Sequence, residues 1–386
     1  MTNSLDINAQ IQRGKIASKL SFFIAGFALS SWAPLVPYAK DRLNADTNTL
    51  GTILLCLGLG AVLGMPLASV LASKVGCRKV ITIASIGLII TLPLLAYLTS
   101  ILLFAFILFL FGLCSGAIDV TANIHGTQVQ GLAKKPLMSS FHGFYSIGGL
   151  LGVSVVTLFL VSISGSVVAA ALISSMILIV CIIGASSKFL EKQNTTEKTP
   201  LFVWPRGIVF IIGLLCLLVF LAEGAYLDWG AILLVQDKNT DLSISGIGYV
   251  IFALSLTISR FTGDYLVAKM GEIRMLFGGL CFTALGILCT AYSANLVSVL
   301  IAIGLTGLAA GNLVPILFSL AAKQTVMPIS HAISAVSFLG YLGVLLGPAM
   351  IGYIADMVGL NPTFYLLGLM MLMITAIVAL SRKMTH

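Results

Sequence analysis

The sequence predicts an all-α integral membrane protein whose 12 transmembrane helices form two six-helix halves that repeat one another in parallel. Three observations lead to this fold class: the composition, the spacing of the apolar stretches and a repeat between the halves. Of the 386 residues, 59% are hydrophobic and only 9% are charged. Ordinary soluble domains are about 45–50% apolar and about 25% charged. So few charges cannot cover a surface in water, which excludes soluble enzymes and soluble DNA-binding proteins.

Twelve apolar stretches are long enough to cross a bilayer as helices, which takes about 20 residues each. Polar or charged residues separate neighbouring stretches. The predicted spans cover residues 20–39, 50–72, 80–98, 102–128, 137–161, 166–186, 207–235, 245–267, 275–293, 296–321, 329–354 and 362–381.

The basic residues orient these spans, because cytoplasmic loops of membrane proteins carry an excess of Lys and Arg. With the N-terminus inside, 17 of the 21 basic residues fall in cytoplasmic segments. Lys40, Arg42 and Lys238 fall on the outer side, and Arg260 falls within a span. We therefore expect both termini in the cytoplasm. Most of the net charge of +8 reflects this bias, so no nucleic-acid partner is expected.

The longest polar interruption divides the chain in two, and the parts resemble each other. The predicted domains are an N-terminal six-helix half at 1–186, a cytoplasmic linker at 187–206 and a C-terminal six-helix half at 207–386. An offset of 195 residues aligns Gly51 with Gly246, at the start of the second and eighth spans. The same offset pairs Lys74 with Lys269, Gly76 with Gly271, Lys79 with Arg274, Gly148 with Gly343 and Gly152 with Gly347. Two copies in one orientation form a parallel repeat, as in the halves of some transporters.

The loop after the second span carries part of a transporter motif. The major facilitator superfamily has Gly-x-x-x-Asp-(Arg/Lys)-x-Gly-x-(Arg/Lys) here, and the residues that match it are Lys74, Gly76 and Arg78, followed by the basic Lys79. Two positions depart from the motif, Ser69 and Ser73, and the corresponding places of the second half hold Asp264, Lys269 and Gly271. The chain thus resembles this superfamily over its whole length. The resemblance implies that Lys74, Gly76 and Arg78 help to latch the closed state.

Two further stretches resemble a narrower branch, the fucose-permease-like transporters and their uncharacterised bacterial relatives. These stretches are GLCSGAIDVTAN at 112–123 and EGAYLDWGAILL at 223–234. The resemblance implies a secondary transporter of the bacterial inner membrane, in which the acid at Asp119 is linked to proton coupling. Ala33 occupies the expected place of the branch's second acid, in the first span, so the resemblance does not extend to fucose as the solute.

Ionisable side chains within the spans are the main candidates for function, because charge in hydrocarbon is costly. Asp119 leads them: Asn123 follows it by one helical turn, and Gly112 and Gly116 continue the same face. Acids in low-dielectric sites favour the protonated form and can exchange a proton there. The alternative is an acid held permanently by a neighbouring helix. His142 lies at a similar depth with Tyr145 on its face, and either relays protons to Asp119 or bonds a carbonyl at its helix end.

The seventh span carries a second acid near its middle. Glu223 and Tyr226 share one face, as proton-coupling and solute-binding candidates, and the adjoining glycine favours a helix break. Asp228 lies further out, where it either contacts the solute or stabilises an outer gate.

Other polar groups have equally good structural explanations. Arg260 and Asp264 are spaced to form an ion pair and are assigned a gating or structural role. Asn312, Tyr341 and Trp32 either line the cavity or bond and pack between helices.

These residues favour proton-coupled symport of a small polar solute, a sugar or related metabolite, by alternating access. Asp119, His142 and Glu223 would handle protons. The solute would be bound by Asn123, Tyr145, Tyr226, Asp228, Trp32, Asn312 and Tyr341. The alternative is a proton-driven efflux antiporter for drugs or metabolites that uses the same acids. We expect no enzymatic activity, cofactor or metal, and a monomer in the bilayer. The seven cysteines form no CxxC and no Cys/His cluster.

Overall fold

The computed structural model describes residues 4–45, 47–162, 166–191, 204–238 and 247–380. These ranges are almost entirely helical. The α-helices are α1 (Ser4–Trp32), α2 (Val36–Arg42), α3 (Thr47–Val75), α4 (Cys77–Tyr97), α5 (Ile101–Ala133), α6 (Met138–Ser162), α7 (Val167–Ser186), α8 (Ile208–Gly224), α9 (Gly230–Lys238), α10 (Ile247–Met270), α11 (Glu272–Tyr292), α12 (Leu296–Ala310), α13 (Leu313–Lys323), α14 (Ile329–Val358) and α15 (Leu360–Leu380).

Within these ranges, 11 helical segments are long and apolar enough to cross a membrane, and they correspond to the second through twelfth predicted spans. The predicted first span, at 20–39, falls on α1, a 3₁₀ turn at Ala33–Leu35 and α2. Lys15, Lys19 and several serines make α1 less apolar than the other spanning helices. The all-helical architecture expected from composition is therefore confirmed.

The chain forms two compact units. The first consists of residues 1–135 and 141–203, and the second of residues 136–140 and 204–386, as far as they are described. In the first unit α5 packs on α1, α3 and α4, and α7 packs on α1 and α4. In the second unit α12 packs on α10 and α11, α14 on α8, and α15 on α11.

The internal repeat is visible in helix ends and turns. Adding 195 to the bounds of α4 gives the bounds of α11, and the first residues of α5 and α12 differ by the same number. Gly76, before α4, has φ 87° and ψ 153°, and Gly271, before α11, has φ 85° and ψ 152°. A positive φ is easily adopted only by glycine. Each of these loops therefore needs its glycine for the turn itself.

Equivalent glycines also set equivalent helix contacts. A Cβ atom on Gly116 of α5 would lie 2.3 Å from the carbonyl oxygen of Ala61 in α3. A Cβ atom on Gly311, after α12, would lie 2.6 Å from the carbonyl oxygen of Leu256 in α10. Both pairs are related by the 195-residue offset. Small residues let helix backbones approach closely in membranes, where packing rather than water exclusion holds helices together.

Replacing Gly116 by Ala is expected to lower the thermal unfolding temperature of the detergent-purified protein. The new methyl group would overlap a backbone oxygen that cannot move by itself, and overpacking of this kind costs about 1–3 kcal/mol. Gly278→Ala in α11 is the matched control, since nothing lies within 4 Å of its Cβ position. The control should be neutral or slightly stabilising, because Ala favours helix over Gly. Equal effects of both changes would refute the close contact.

Candidate functional site

Asp119 lies half-buried on α5, within a segment that spans the membrane. In the part of the chain that the structure describes, no group donates a hydrogen bond to its carboxylate and no cation pairs with it. One turn later, the fully buried Asn123 donates from Nδ2 to the backbone oxygen of Asp119, at 3.0 Å. The amide is thereby oriented, and its oxygen points away from α5.

His142 of α6 is the hydrogen-bond partner of this amide. Its Nε2 lies 3.2 Å from Asn123 Oδ1, and its ring packs against Phe22 of α1 with the centroids 4.8 Å apart. Because Oδ1 can only accept, Nε2 carries the proton. Sequence reasoning placed His142 beside the Asp119 carboxylate, whereas the structure places the Asn123 amide against His142 and leaves the Asp119 side chain on the same helix face as that amide.

His125, two residues after Asn123 on α5, is a structural histidine. It is 0% exposed, its Nε2 accepts the backbone N–H of Leu190 at 3.1 Å, and its Nδ1 lies 2.8 Å from Ser18 Oγ. Since Nε2 accepts, Nδ1 carries the proton and donates to the hydroxyl. Both ring nitrogens are used, so this histidine fixes the segment after α7 to α1 and α5.

The second unit has its own charged cluster. Glu223, near the end of α8, lies with Oε1 3.7 Å from Arg260 Nη2 of α10, and the two side chains are only 19% and 8% exposed. Arg260 Nε also donates to the backbone oxygen of Gly311 at 3.3 Å. The helix widens into a π turn at Ala225–Trp229 directly after this acid. The predicted break near Glu223 is therefore a widened turn, a feature common at functional sites.

Asp264, one turn after Arg260, binds the beginning of α6. Its two carboxylate oxygens accept the backbone N–H groups of Ser139 and Ser140, each at 3.1 Å. The first N–H groups of a helix have no partner within it and favour a negative charge. Residues 136–140 belong to the same compact unit as α10. Sequence spacing predicted a pair of Asp264 with Arg260, and the structure gives each of them a partner on another helix.

Three predicted solute-binding residues are buried and engaged in packing. Asn312 is 3% exposed, and its Nδ2 donates to the backbone oxygen and hydroxyl of Ser259, at 2.7 and 2.8 Å. Tyr226 is 1% exposed and bonds the hydroxyls of Thr290 and Thr306, while Trp32 is 4% exposed and packs on Phe104. Their positions in this structure support interhelical packing.

The remaining candidates are accessible to different degrees. Tyr145 is half-buried on α6, and Tyr341 is half-buried on α14 with its ring edge against Phe220. Asp228 is exposed at the π turn. Lys74 and Arg78 are exposed on either side of Gly76, so the basic loop is free to contact other groups.

Sequence reasoning missed Glu272, the first residue of α11. Its carboxylate accepts a hydrogen bond from Ser319 Oγ and pairs with Lys323 Nζ at 2.7 Å. An acid in the first turn of a helix is the signal that could have identified it.

Comparison with known proteins supports a transporter. The Major Facilitator Superfamily model matches residues 20–231 and 214–385. An uncharacterized MFS-type transporter of Yersinia pestis is 38% identical over 94% of this chain and 94% of its own length. An uncharacterized transporter of Sinorhizobium fredii is 30% identical, covering 90% and 93%, and the multi-drug resistance efflux pump PmrA of Streptococcus pneumoniae is 23% identical, covering 89% and 89%.

Solved structures share the fold at low sequence identity. The human organic anion transporter MFSD10 aligns with TM-score 0.78 and 14% identity, over 95% of this chain and 98% of its own. The E. coli fucose:proton symporter FucP aligns with TM-score 0.74 and 16% identity over the same shares, and the proton:xylose symporter XylE with 0.72 and 14%, over 96% and 95%. From the family match and the relatives, this chain belongs to the major facilitator superfamily and is a membrane transporter, not an enzyme.

Proposed function

We propose that this transporter carries a small polar solute, a sugar or related metabolite, together with protons across the bacterial inner membrane, with both termini in the cytoplasm. Transport would proceed by alternating access, in which the halves 1–186 and 207–386, joined by the linker 187–206, expose the site to each side in turn. The basic loop with Lys74, Gly76 and Arg78, together with Arg260 and Asp264, would have a gating or structural role.

The observation that carries the proposal is the contrast between Asp119 and the other acids. Asp264 accepts two backbone N–H groups, Glu272 pairs with Lys323, and Glu223 lies beside Arg260. These contacts stabilise a negative charge. The Asp119 carboxylate has no such contact among the described residues, although it lies half-buried in a membrane helix. An acid in this position is stable in its protonated form. It ionises only when a hydrogen-bond donor or water reaches the carboxyl group.

Coupling then follows from the protonation state of this one acid. The solute binds more tightly to the protonated carrier, or the protonated and loaded carrier reorients more readily, because only a difference in free energy between states can drive the exchange. Inside, Asp119 releases its proton to water. The hydrogen bonds of the Asn123 amide hold the His142 ring and the backbone of Asp119 in place before the solute binds.

Glu223 and Arg260 form a second charged group. Protonation of Glu223 would free Arg260 to bond elsewhere, which supports Glu223 as a proton-coupling group as well. Among the solute-binding candidates, Tyr145, Asp228 and Tyr341 are half-buried or exposed, whereas Asn123, Trp32, Tyr226 and Asn312 are buried and would act through packing and hydrogen bonding. FucP and XylE are named as proton symporters of sugars, which favours a polyhydroxylated solute.

Efflux by antiport is the second candidate, and the likeness to the pump PmrA favours it. The same acids would serve. A solute that displaces the proton from a carboxyl group is exchanged for that proton instead of being cotransported with it. The two functions differ in the direction of solute movement relative to the proton gradient.

A solute panel in proteoliposomes tests the proposal. Purified protein is reconstituted, an inward proton gradient is imposed, and uptake of labelled sugars, polyols and cationic drugs is followed with and without a protonophore. We expect accumulation of a polyhydroxylated solute that the protonophore abolishes. Expulsion of a preloaded drug, with no sugar accumulated, would instead establish the antiporter.

A further inference from the structure

The short helices α2 and α9 end in the same pair of charges, an acid followed by a base. The pairs are Asp41–Arg42 and Asp237–Lys238, which differ by 196 residues. They occupy the same place in the two units, since each follows the first long helix of its unit. Arg42 and Lys238 are also two of the three basic residues that the topology places on the outer side. Basic residues there run against the charge bias of the chain and call for a reason.

Arg42 caps the C-terminal end of α4. Its Nη2 donates to the backbone oxygen of Leu95 at 2.6 Å and its Nε to that of Leu98 at 2.9 Å. The last carbonyl groups of a helix have no partner within it and carry partial negative charge. The planar guanidinium group meets two of them at once, which an ammonium group cannot do with the same geometry. Partial burial lowers the pKa of Arg42 without discharging it.

Lys238 closes the end of α11, the counterpart of α4. Its Nζ donates to the backbone oxygen of Ala291 at 2.9 Å, and the residue is only 7% exposed. Burial lowers the pKa of Lys238 and the charge of Asp237 raises it. Asp237 in turn accepts the backbone N–H of Asn361 at the start of α15, at 3.1 Å. Lys238 thus contacts the carbonyl end of α11 and Asp237 contacts the N–H end of α15, which is the arrangement that the helix dipoles favour.

Both short helices are also separated from the preceding long helix by irregular backbone. Between α1 and α2 lies the 3₁₀ turn Ala33–Leu35, with Pro34 inside it and Pro37 in the first turn of α2. Between α8 and α9 lies the π turn Ala225–Trp229. Proline removes a helix hydrogen bond and a π turn adds a residue to the repeat, and both are places where helices bend.

We propose that α2 and α9 are tethered segments: each is hinged to its long helix at the irregular turn and held by its terminal base to the carbonyl end of α4 or α11. A motion of α1 or α8 then bends the chain at the hinge, while the short helix stays with its anchor helix. The two outer-side bases are retained against the topological charge bias because they hold these segments. This inference does not depend on the solute or on proton coupling.

Hydrogen–deuterium exchange of the full chain in lipid nanodiscs tests the tethers one at a time. Arg42→Met should raise amide exchange in α2 and the last turn of α4 by about tenfold, since a charged hydrogen-bonded contact is lost, and leave α9 unchanged. Lys238→Met should do the same for α9 and the last turn of α11, and leave α2 unchanged. In the unmodified protein, exchange across Ala33–Leu35 should be faster than in α1 and α2 on either side.

Conservative and distant variants separate a tether from a general loss of stability. Arg42→Lys keeps a cation without the paired donor geometry and should restore part of the protection, whereas Lys238→Arg should restore most of it. Arg206→Met, which removes an exposed cation far from both segments along the chain, should change neither. Unchanged exchange in α2 and α9 would overturn the proposal. So would an increase spread over both units, or a failure of the conservative variants to restore protection.

Discussion

Asp119→Asn is expected to abolish solute accumulation driven by a proton gradient while leaving the protein folded. Asn has nearly the same size and hydrogen-bonding groups but cannot bind and release a proton. The carboxylate has no partner among the described residues, so its removal breaks no recorded contact. The backbone bond from Asn123 to residue 119 does not depend on the side chain. Accumulation should fall at least about 100-fold, and general acid–base groups commonly have effects of that size.

Solute counterflow without a gradient provides the discriminating control for Asp119→Asn. Exchange of labelled for unlabelled solute needs binding and reorientation of the loaded carrier but no net proton movement, so we expect it to survive. Glu191→Gln, which removes an exposed acid outside the spans, should retain both activities. Retention of gradient-driven accumulation by Asp119→Asn would remove this acid from the coupling role.

The second large effect concerns the ion pair between Glu223 and Arg260. Arg260→Met keeps the apolar stem of the side chain but leaves the Glu223 carboxylate without its cation in a membrane helix. Removing one partner of a buried pair costs about 3–5 kcal/mol, mostly because the other charge is stranded. We therefore expect a marked loss of stability, read as the unfolding temperature in detergent and the yield of folded protein.

The double variant Glu223→Gln/Arg260→Met should recover much of that loss, because no stranded charge remains. A double-mutant cycle gives the interaction free energy directly. Lys323→Met is a matched control: it breaks the pair with Glu272, but Lys323 is 59% exposed, and exposed pairs contribute about 0–1 kcal/mol. A double variant as unstable as Arg260→Met would show that Arg260 acts through other contacts.

The spans and the repeat could be predicted from sequence because both depend on short, continuous stretches of residues. Hydropathy fixes where helices cross the bilayer, and the glycines at 76 and 271 mark equivalent turns with nearly equal angles. The first span was less well predicted. The helix begins well before residue 20 and stops at Trp32, because the prolines that follow end the regular hydrogen bonding.

Part of the site could also be predicted. The similar depth of Asp119 and His142 predicted a pair between the carboxylate and the imidazole, whereas His142 Nε2 lies 3.2 Å from Asn123 Oδ1 instead. The pairing of Arg260 with Glu223 could not be predicted from the periodicity of one helix, because Glu223 lies on α8 and Arg260 on α10. Tyr226 shows the same limit: its helix face was evident, whereas its burial against Phe252 depends on how α10 packs.

Proton movement during solute addition is the most direct test of proton-coupled symport with Asp119 as the coupling acid. Proteoliposomes loaded with a pH-sensitive dye, at equal pH on both sides, receive a transported solute from outside. The account predicts acidification of the interior that requires the solute, is abolished by a protonophore and is absent in Asp119→Asn. Alkalinisation of the interior, or solute entry with no change in pH, would contradict it.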